Sequence, residues 1–554
     1  MTGRNPCYGL GLRLIRTESL FLLAVLVGAA LRLHQISYQI VADDEWHGLQ
    51  TALYGSYSLV LTHFGSNDYC IPLTAFYKLM SETLGLSELV MRAPVLLFGL
   101  AALVVFPFLV RPWVGKPASV LFAWLLAIAP LHVYFSRYAR PYAITLFLAF
   151  LGIAAFYRWW QSGGRAWFVT YAGCAVVAIY VHLIVAPFVL APLAWALAEI
   201  CLARPRDQRA SALRRLVTLG TVVALGLVVL LAAPLWSDWP SITWKLSGRG
   251  ITKVTIVHAI ELMMGTRHWW LIALLGAAML AGLAAMQRSE ARLLGYFLFL
   301  GAAQALPSVV GRPAYIDVPI TLARYNLTLL PIMLVFVAVG LTRLGHALPR
   351  ARVNALGAIP GALVCALLVY FGPLAEIYYR PNNWTNHGMF QYAYARDTLW
   401  AYGFLRPPEV PAFYQQLARL PRESVRIVEA PSYYEWQKNA YPNYQRLHRQ
   451  RIFVGMVDDV RPAPRVGELP LARQGLHFSN FIHVADHVGL LRRGITFVVF
   501  HKDVAAEIPG ATFERVDVGR WVEHYRRVYG APSYEDRHLV VFDVTRRGPG
   551  WPSG

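Results

Sequence analysis

The chain has 554 residues, of which 56% are hydrophobic and only 15% charged, with a formal net charge of +20. Soluble domains carry about 25% charged residues, so this composition excludes an ordinary soluble protein and places most of the chain in lipid. The excess of positive charge does not mark a nucleic-acid binder. Lys and Arg sit mainly in short loops between apolar runs, where they set orientation in a bilayer.

The basic segment 1–17 leads into an apolar run with no small-residue cleavage motif, which predicts a retained helix rather than a removed signal. A crossing needs about 20 apolar residues. The apolar runs predict about eleven spans, at 19–36, 90–110, 118–134, 141–160, 166–181, 183–202, 214–234, 269–286, 291–310, 322–342 and 354–373. The loops are then sorted alternately. One set, 1–18, 111–117, 158–165, 203–215, 287–292 and 343–353, holds about 17 Lys and Arg; the longer loops of the other set hold about 10. The positive-inside rule puts the first set and the N-terminus in the cytoplasm, and an odd number of spans puts the tail outside. The expected architecture is a polytopic all-α membrane domain over 1–374 and an extracytoplasmic domain over 375–554. In the tail, β-type runs at 425–428, 452–457, 496–500 and 539–544 alternate with helical runs near 408–420 and 519–528, which predicts a small α/β domain. Five cysteines, Cys7, Cys70, Cys174, Cys201 and Cys365, show no CxxC spacing and imply neither disulfides nor zinc. The tail aromatics Tyr433, Tyr434, Trp436, Tyr441 and Tyr444 suit a core more than a sugar-stacking surface.

The first outer loop, 37–89, opens with Asp43, Asp44 and Glu45, followed by Trp46, His47 and Gly48. Three acids beside a membrane helix are costly unless they have a task. Apolar residues at Trp46, Leu49, Leu53, Tyr57, Val60 and Phe64 predict one amphipathic helix lying in the membrane plane. A carboxylate there can act as a general base on an acceptor hydroxyl or amine; a helix N-cap is the plainer account. Asp68 and Lys78 further along could flank the same site, or belong to a turn and a second surface helix.

The second outer loop carries His132, Arg137, Arg140 and Pro141, with Pro141 suited to the start of the next helix. Arginine suits bidentate phosphate binding; interfacial snorkelling is the alternative. His182 lies alone between two spans on that side. The loop 235–268 holds Asp238, Lys245, Arg249 and Lys253, as a mobile lid or a solvated loop. Arg324 and Tyr325 open the span at 322–342 and could hold a lipid phosphate or snorkel. No span carries a mid-membrane Asp, Glu or Lys, which counts against an ion-coupled transporter.

Taken as a set, these residues resemble the GT-C superfamily of membrane glycosyltransferases, above all the protein O-mannosyltransferases and the aminoarabinose transferases of lipid A. The acidic pair Asp44-Glu45 in the first outer loop carries the likeness, with Asp43 its rival. So do Asp68 before Ile71-Pro72-Leu73, the stretch Ser136-Arg137-Tyr138-Ala139-Arg140-Pro141-Tyr142-Ala143, Arg324-Tyr325 with Leu327 and Pro331, and the turn Tyr379-Arg380-Pro381-Asn382-Asn383. The resemblance covers residues 20–375. It implies two in-plane helices in the first outer loop and a polyprenyl-phosphate sugar donor. It implies a lipid, glycan or protein acceptor and inverting transfer of a hexose or pentose outside the bacterial inner (plasma) membrane. Asp44, Glu45 or Asp43 would act on the acceptor. Arg137, Arg140, Arg324 and Tyr325 would hold the donor phosphate, with His47, Asp68, Lys78, His132, His182 and Arg249 as further substrate contacts. Some members use a divalent metal with acidic loop residues, for which Asp43, Asp44 and Glu45 could serve; no other cofactor is implied. A transporter of lipid-linked glycans or a non-catalytic scaffold of the same fold is the alternative.

Overall fold

The computed structural model describes residues 6–34, 55–64, 70–246, 248–347, 358–374, 409–422, 424–431, 447–452, 486–492, 494–503 and 518–546, together with positions 36, 45, 48, 51, 52 and 444. The chain divides into two compact units. One comprises Met1–His34, Thr62–Leu73 and Arg92–Ala375; the other comprises Gln35–Leu61, Thr74–Met91 and Glu376–Gly554.

The helices of the first part of the chain are α1 (Pro6–Leu33), α2 (Tyr57–Thr62), α3 (Ile71–Glu82), α4 (Glu88–Ile128), α5 (Pro130–Phe135), α6 (Tyr142–Ser162), α7 (Arg165–Val181), α8 (Ala186–Leu202) and α9 (Arg206–Ser237). They are followed by α10 (Trp239–Trp244), α11 (Lys253–Met264), α12 (Trp269–Ser289), α13 (Ala291–Val310), α14 (Pro319–Tyr325), α15 (Leu330–Ala347) and α16 (Ile359–Phe371). Among the described residues, seven helical segments are long and apolar enough to cross a membrane: Leu89–Ile128, Tyr142–Ser162, Leu183–Leu202, Arg206–Ser237, Trp269–Ser289, Ala291–Val310 and Leu327–Gly345. Arg165–Val181 and Ile359–Phe371 are apolar but shorter. The chain is a multi-pass membrane protein, and helix lies on every predicted span.

Three boundaries differ from the sequence reading. Helix α4 has 41 residues, about 60 Å at 1.5 Å per residue, which is twice the hydrocarbon thickness. It is broken at Gly115, whose φ of 81° glycine adopts without penalty, so the predicted 111–117 turn separates two crossings. The span expected to run to 134 stops at Ile128. Ala129 is extended, as a residue before proline prefers, and Pro130 starts the separate helix α5. Arg324 and Tyr325 close the short helix α14 instead of opening a span: Asn326 ends that helix and α15 starts at Leu330, with Pro331 in its first turn. The predicted in-plane helix to Phe64 is also interrupted. Gly55 closes a turn on Thr51, and the Ser56 hydroxyl accepts from the Leu59 amide at 3.1 Å to start α2 afresh.

The Arg-rich loops assigned to one side meet at one end of the bundle. The Arg158 guanidinium lies 4.8 Å from the Trp167 ring and 5.7 Å from Trp113, Arg204 lies 4.6 Å from Trp160, and Arg215 lies 5.1 Å from Trp159. Tryptophan and arginine together are the composition of a membrane interface. Elsewhere α12 and α15 pack backbone to backbone. A Cβ on Gly282 would sit 1.9 Å from the Phe336 carbonyl oxygen, and one on Gly340 would sit 1.8 Å from that of Ala278. With lipid as apolar as the side chains, such close approach of small residues supplies the packing that holds membrane helices together.

In the second unit, α17 (Ala412–Leu417), α18 (His487–Arg492) and α19 (Val518–Tyr529) accompany strands β1 (Arg426–Ala430), β2 (Arg451–Ile452), β3 (Phe497–His501), β4 (Tyr534–Glu535) and β5 (Leu539–Asp543). The sheet order is β2-β1-β3-β5-β4. β1 pairs parallel with β2 and β3, while β5 runs antiparallel to β3 and β4. Ile427, Val499 and Val541 meet Phe413, Leu417 and Tyr444 in the core. The buried Glu429 accepts a hydrogen bond from the Tyr414 hydroxyl at 2.8 Å, and Tyr444 stacks on Tyr414 at 4.1 Å. Tyr444 is therefore a core residue, as its composition suggested; Tyr433, Tyr434, Trp436 and Tyr441 lie outside the described residues.

Gly340→Ala is expected to lower the thermal midpoint of the detergent-purified protein by several degrees, since overpacking costs about 1–3 kcal/mol. Gly276→Ala, on the same α12 but with nothing within 4 Å of its added methyl, serves as the control and should leave the midpoint unchanged.

Candidate functional site

The second outer loop is not a surface loop. Every residue from Leu125 to Leu146 is buried, although the stretch is interrupted at Ala129 and again between α5 and α6. Non-helical backbone at such depth must find partners in the protein. Arg32, at the end of α1 and fully buried, supplies them. Its Nη1 donates to the carbonyls of Gly28 at 2.8 Å and Ala127 at 3.1 Å, and its Nη2 to that of Leu126 at 3.3 Å. Nη2 also lies 2.7 Å from His132 Nδ1, and Nε lies 3.2 Å from Ser136 Oγ. Arginine only donates, so His132 Nδ1 accepts and the proton sits on Nε2. That Nε2 has no partner among the described residues. Arg137 adds a bond of 3.0 Å to the Leu31 carbonyl and is itself fully buried. A guanidinium so enclosed is not snorkelling.

A second group gathers where four segments of the chain meet. Arg140, 8% exposed, precedes Tyr142 at the start of α6. His182 sits between α7 and α8, its ring 5.5 Å from that of Tyr142 and 6.2 Å from that of Tyr325. The Arg324 guanidinium lies 5.6 Å from both the Tyr142 and the Tyr325 rings. Lys245 follows α10, where its carbonyl accepts from the Ala314 amide at 2.6 Å while the Gly248 amide donates to Arg312 at 2.8 Å. Burial, reinforced by the charges of Arg140, Arg324 and Lys245, pushes the His182 imidazole down to about 3. The charges that act on His182 are all positive, so the group is a neutral imidazole in a basic surround.

Gln304, buried on α13, ties this arrangement together. Its Nε2 donates to the Tyr325 carbonyl at 2.7 Å and the Ile184 carbonyl at 3.3 Å, joining the loop after His182 to the one that carries Arg324. Arg32 and Gln304 were not singled out in the sequence. The available signal was a lone polar group inside an apolar run, which calls for a partner or a task. In the sequence Lys245 is one basic residue of a loop among several. Arg249, expected among the substrate contacts, is exposed.

In the first outer loop the structure places Glu45, helical and buried. Lys78 pairs with Glu82 at 2.7 Å and lies 5.0 Å above the Tyr57 ring, while the Tyr57 hydroxyl donates to Glu82 at 2.8 Å. This is a local i,i+4 pair braced by a tyrosine. Asp43, Asp44, His47 and Asp68 lie outside the described residues. Among the described residues no three His, Cys, Asp or Glu side chains gather as a metal site.

Comparison with solved structures finds likenesses of low identity over most of the chain. ArnT from Cupriavidus metallidurans bound to undecaprenyl phosphate is similar at a TM-score of 0.48 and 14% identity, covering 95% of this chain and 97% of that one. The apo oligosaccharyltransferase of Archaeoglobus fulgidus is similar at 0.44 and 14%, over 88% of this chain and 69% of that one. The archaeal oligosaccharyltransferase AglB of the same organism, in complex with an inhibitory peptide and a dolichol-phosphate, is similar at 0.43 and 13%, with the same coverage. No family model matches the chain, and no curated protein does.

Two expectations follow from the site. Arg32→Leu leaves several buried carbonyls and His132 unpaired and should destabilise the protein by about 2–4 kcal/mol, read as a lower thermal midpoint. For His182, an imidazole that titrates near 6.5 when unfolded is held down to about 3 in the fold. The unfolded state therefore binds more protons between these values, and stability is full above 6.5 and falls as pH drops towards 3. His182→Asn should flatten the dependence of the thermal midpoint on pH in that window.

Proposed function

We propose that this chain is an integral membrane glycosyltransferase. It would move a sugar from a polyprenyl-phosphate donor to a lipid, glycan or protein acceptor on the extracytoplasmic face of the bacterial inner membrane. The observation that carries this reading is the basic cluster of Arg140, Arg324 and Lys245 around a neutral His182, in a multi-pass protein and on loops away from the Arg/Trp-rich end. A lipid-linked phosphate is the anion that such a place can receive. The residue pattern of the first outer loop supplies the complementary acid.

In this reading the cluster neutralises the phosphate, where negative charge grows as the sugar bond breaks. Tyr142 and Tyr325 frame Arg324, and Gln304 keeps the two loops in register. Arg137, bonded to the Leu31 carbonyl, holds the loop that presents Arg140. Asp44 takes the proton of the acceptor hydroxyl or amine. The acceptor atom attacks the anomeric carbon, the carbon–oxygen bond to phosphate breaks, and polyprenyl phosphate leaves. The single displacement inverts the anomeric centre. A phosphate leaving group needs no general acid, so one carboxylate is enough. Glu45 and Asp43 flank the base, and no step is assigned to a metal.

The test is transfer by the purified protein from a panel of radiolabelled polyprenyl-phosphate sugars into a membrane extract. Asp44→Asn and Arg324→Ala are run beside it after gel filtration has confirmed folded species. The wild type should label an extractable product from one donor, and each variant should lose about 10²–10³-fold in rate. No transfer from any donor would favour a lipid-linked glycan transporter or a scaffold. Full transfer by Asp44→Asn would move the base to Asp43 or Glu45.

A further inference from the structure

The segment between α9 and α12 was legible in the sequence only as a lid or a solvated loop. Its helices divide their surfaces in a way that neither describes. On α11 the positions Thr255, Ala259 and Leu262 are buried and fall on one side at 100° per residue. They face α14, and the Thr255 hydroxyl donates at 2.7 Å to the carbonyl of Asp317, just before that helix. A second side carries Ile256, Val257 and Ile260, exposed by 46%, 53% and 44%, below Lys253 in the first turn, whose long side chain can reach the headgroups. A third carries His258 and Glu261, 2.7 Å apart, with Arg267 3.8 Å from the same carboxylate. A helix in water has two sectors, one for the core and one for solvent. Three sectors, with bare β-branched residues between a protein face and a charged face, match a helix at the boundary of protein, lipid and water.

The flanking residues set the level. Trp239 and Trp244, at the two ends of α10, are exposed by 60% and 58%, as is Trp236 on α9 by 89% and Trp269 at the start of α12 by 79%. Tryptophan gathers at the polar–apolar boundary of a bilayer. α9 and α12 both cross it, so the segment begins and ends at that boundary, and the exposed apolar side of α11 continues the lipid-facing surface of the spans.

We propose that α10 and α11 form a membrane-surface element: α11 lies in the bilayer boundary with Ile256, Val257 and Ile260 among the upper acyl chains and His258 and Glu261 in the headgroup region. The occupant of this apolar face is lipid. Because the opposite face packs on α14, lipid contact holds the helix that ends in Arg324. The inference needs only the multi-pass character of the chain and is independent of what the basic cluster binds.

The test uses the full-length protein in nanodiscs of zwitterionic and anionic lipid. In a background with Cys7, Cys70, Cys174, Cys201 and Cys365 replaced, and shown to be folded by gel filtration, a single cysteine is placed at Val257 or at Ile260. A third protein carries it at Arg249. Each is labelled with an environment-sensitive fluorophore. The labels at 257 and 260 should emit as in an apolar medium. A nitroxide near the ester end of the acyl chain should quench them about twofold more strongly than one near the methyl end. The label at 249 should emit as in water. Water-like emission with iodide quenching at both 257 and 260 would overturn the proposal in favour of a solvated loop. Stronger quenching from the chain end would overturn it in favour of a segment that enters the membrane core.

Discussion

The membrane unit depends on one buried cation. Backbone that leaves helical geometry inside a hydrophobic environment exposes carbonyls that no water can satisfy. The break between α4 and α5 does this at the crowded centre of the unit, and Arg32 answers it with bonds to Gly28, Leu126 and Ala127. The same guanidinium reaches His132 and Ser136. The loop that presents Arg140 is thereby pinned to the end of α1, with Arg137 repeating the device one carbonyl away on Leu31. A lysine could not span these acceptors, because the planar fork is what lets one side chain serve several at once.

With that loop fixed, basic side chains from separate segments gather around His182. Arg140, Arg324 and Lys245 arrive from three separate loops. Like charges repel, so the arrangement has to be held by its backbone. Gln304 and the pairing of Lys245 and Gly248 with residues 312–314 do the holding. A neutral His182 at the centre lowers the repulsion further, since a protonated ring there would add one more positive charge. The Arg158, Arg204 and Arg215 group at the other end of the bundle rests on tryptophan faces, the composition of a membrane interface.

Much of this was legible in the residues. The apolar runs predicted a helix on every span, because the cost of exposing backbone in lipid leaves little other choice. Alternation in the tail predicted β1, β3 and β5, and the helical run at 519–528 became α19. Arg140, His182 and the pair Arg324-Tyr325 stand in three separate stretches of the sequence and come together in the fold. Two of the other candidates have structural partners of their own. Lys78 turned inward to Glu82, a pairing that i,i+4 spacing allowed but did not require. Arg137, placed with the phosphate groups, bonds to a backbone carbonyl.

The sequence by itself therefore determined that the chain crosses the membrane many times, roughly where, and which side chains are chemically equipped to meet an anion. These follow from local hydrophobicity and from residue chemistry, which need no knowledge of neighbours. Only the tertiary structure decided which of those side chains are used structurally and which are gathered into a site. Arg32 looked like the ordinary basic end of a span, and Gln304 like one amide in an apolar run. Their roles lie in bonds to carbonyls about a hundred residues away, such as Ala127 from Arg32 and Ile184 from Gln304. Backbone carbonyls are the same at every position, so no pattern of side chains along the chain records which of them a buried donor will find.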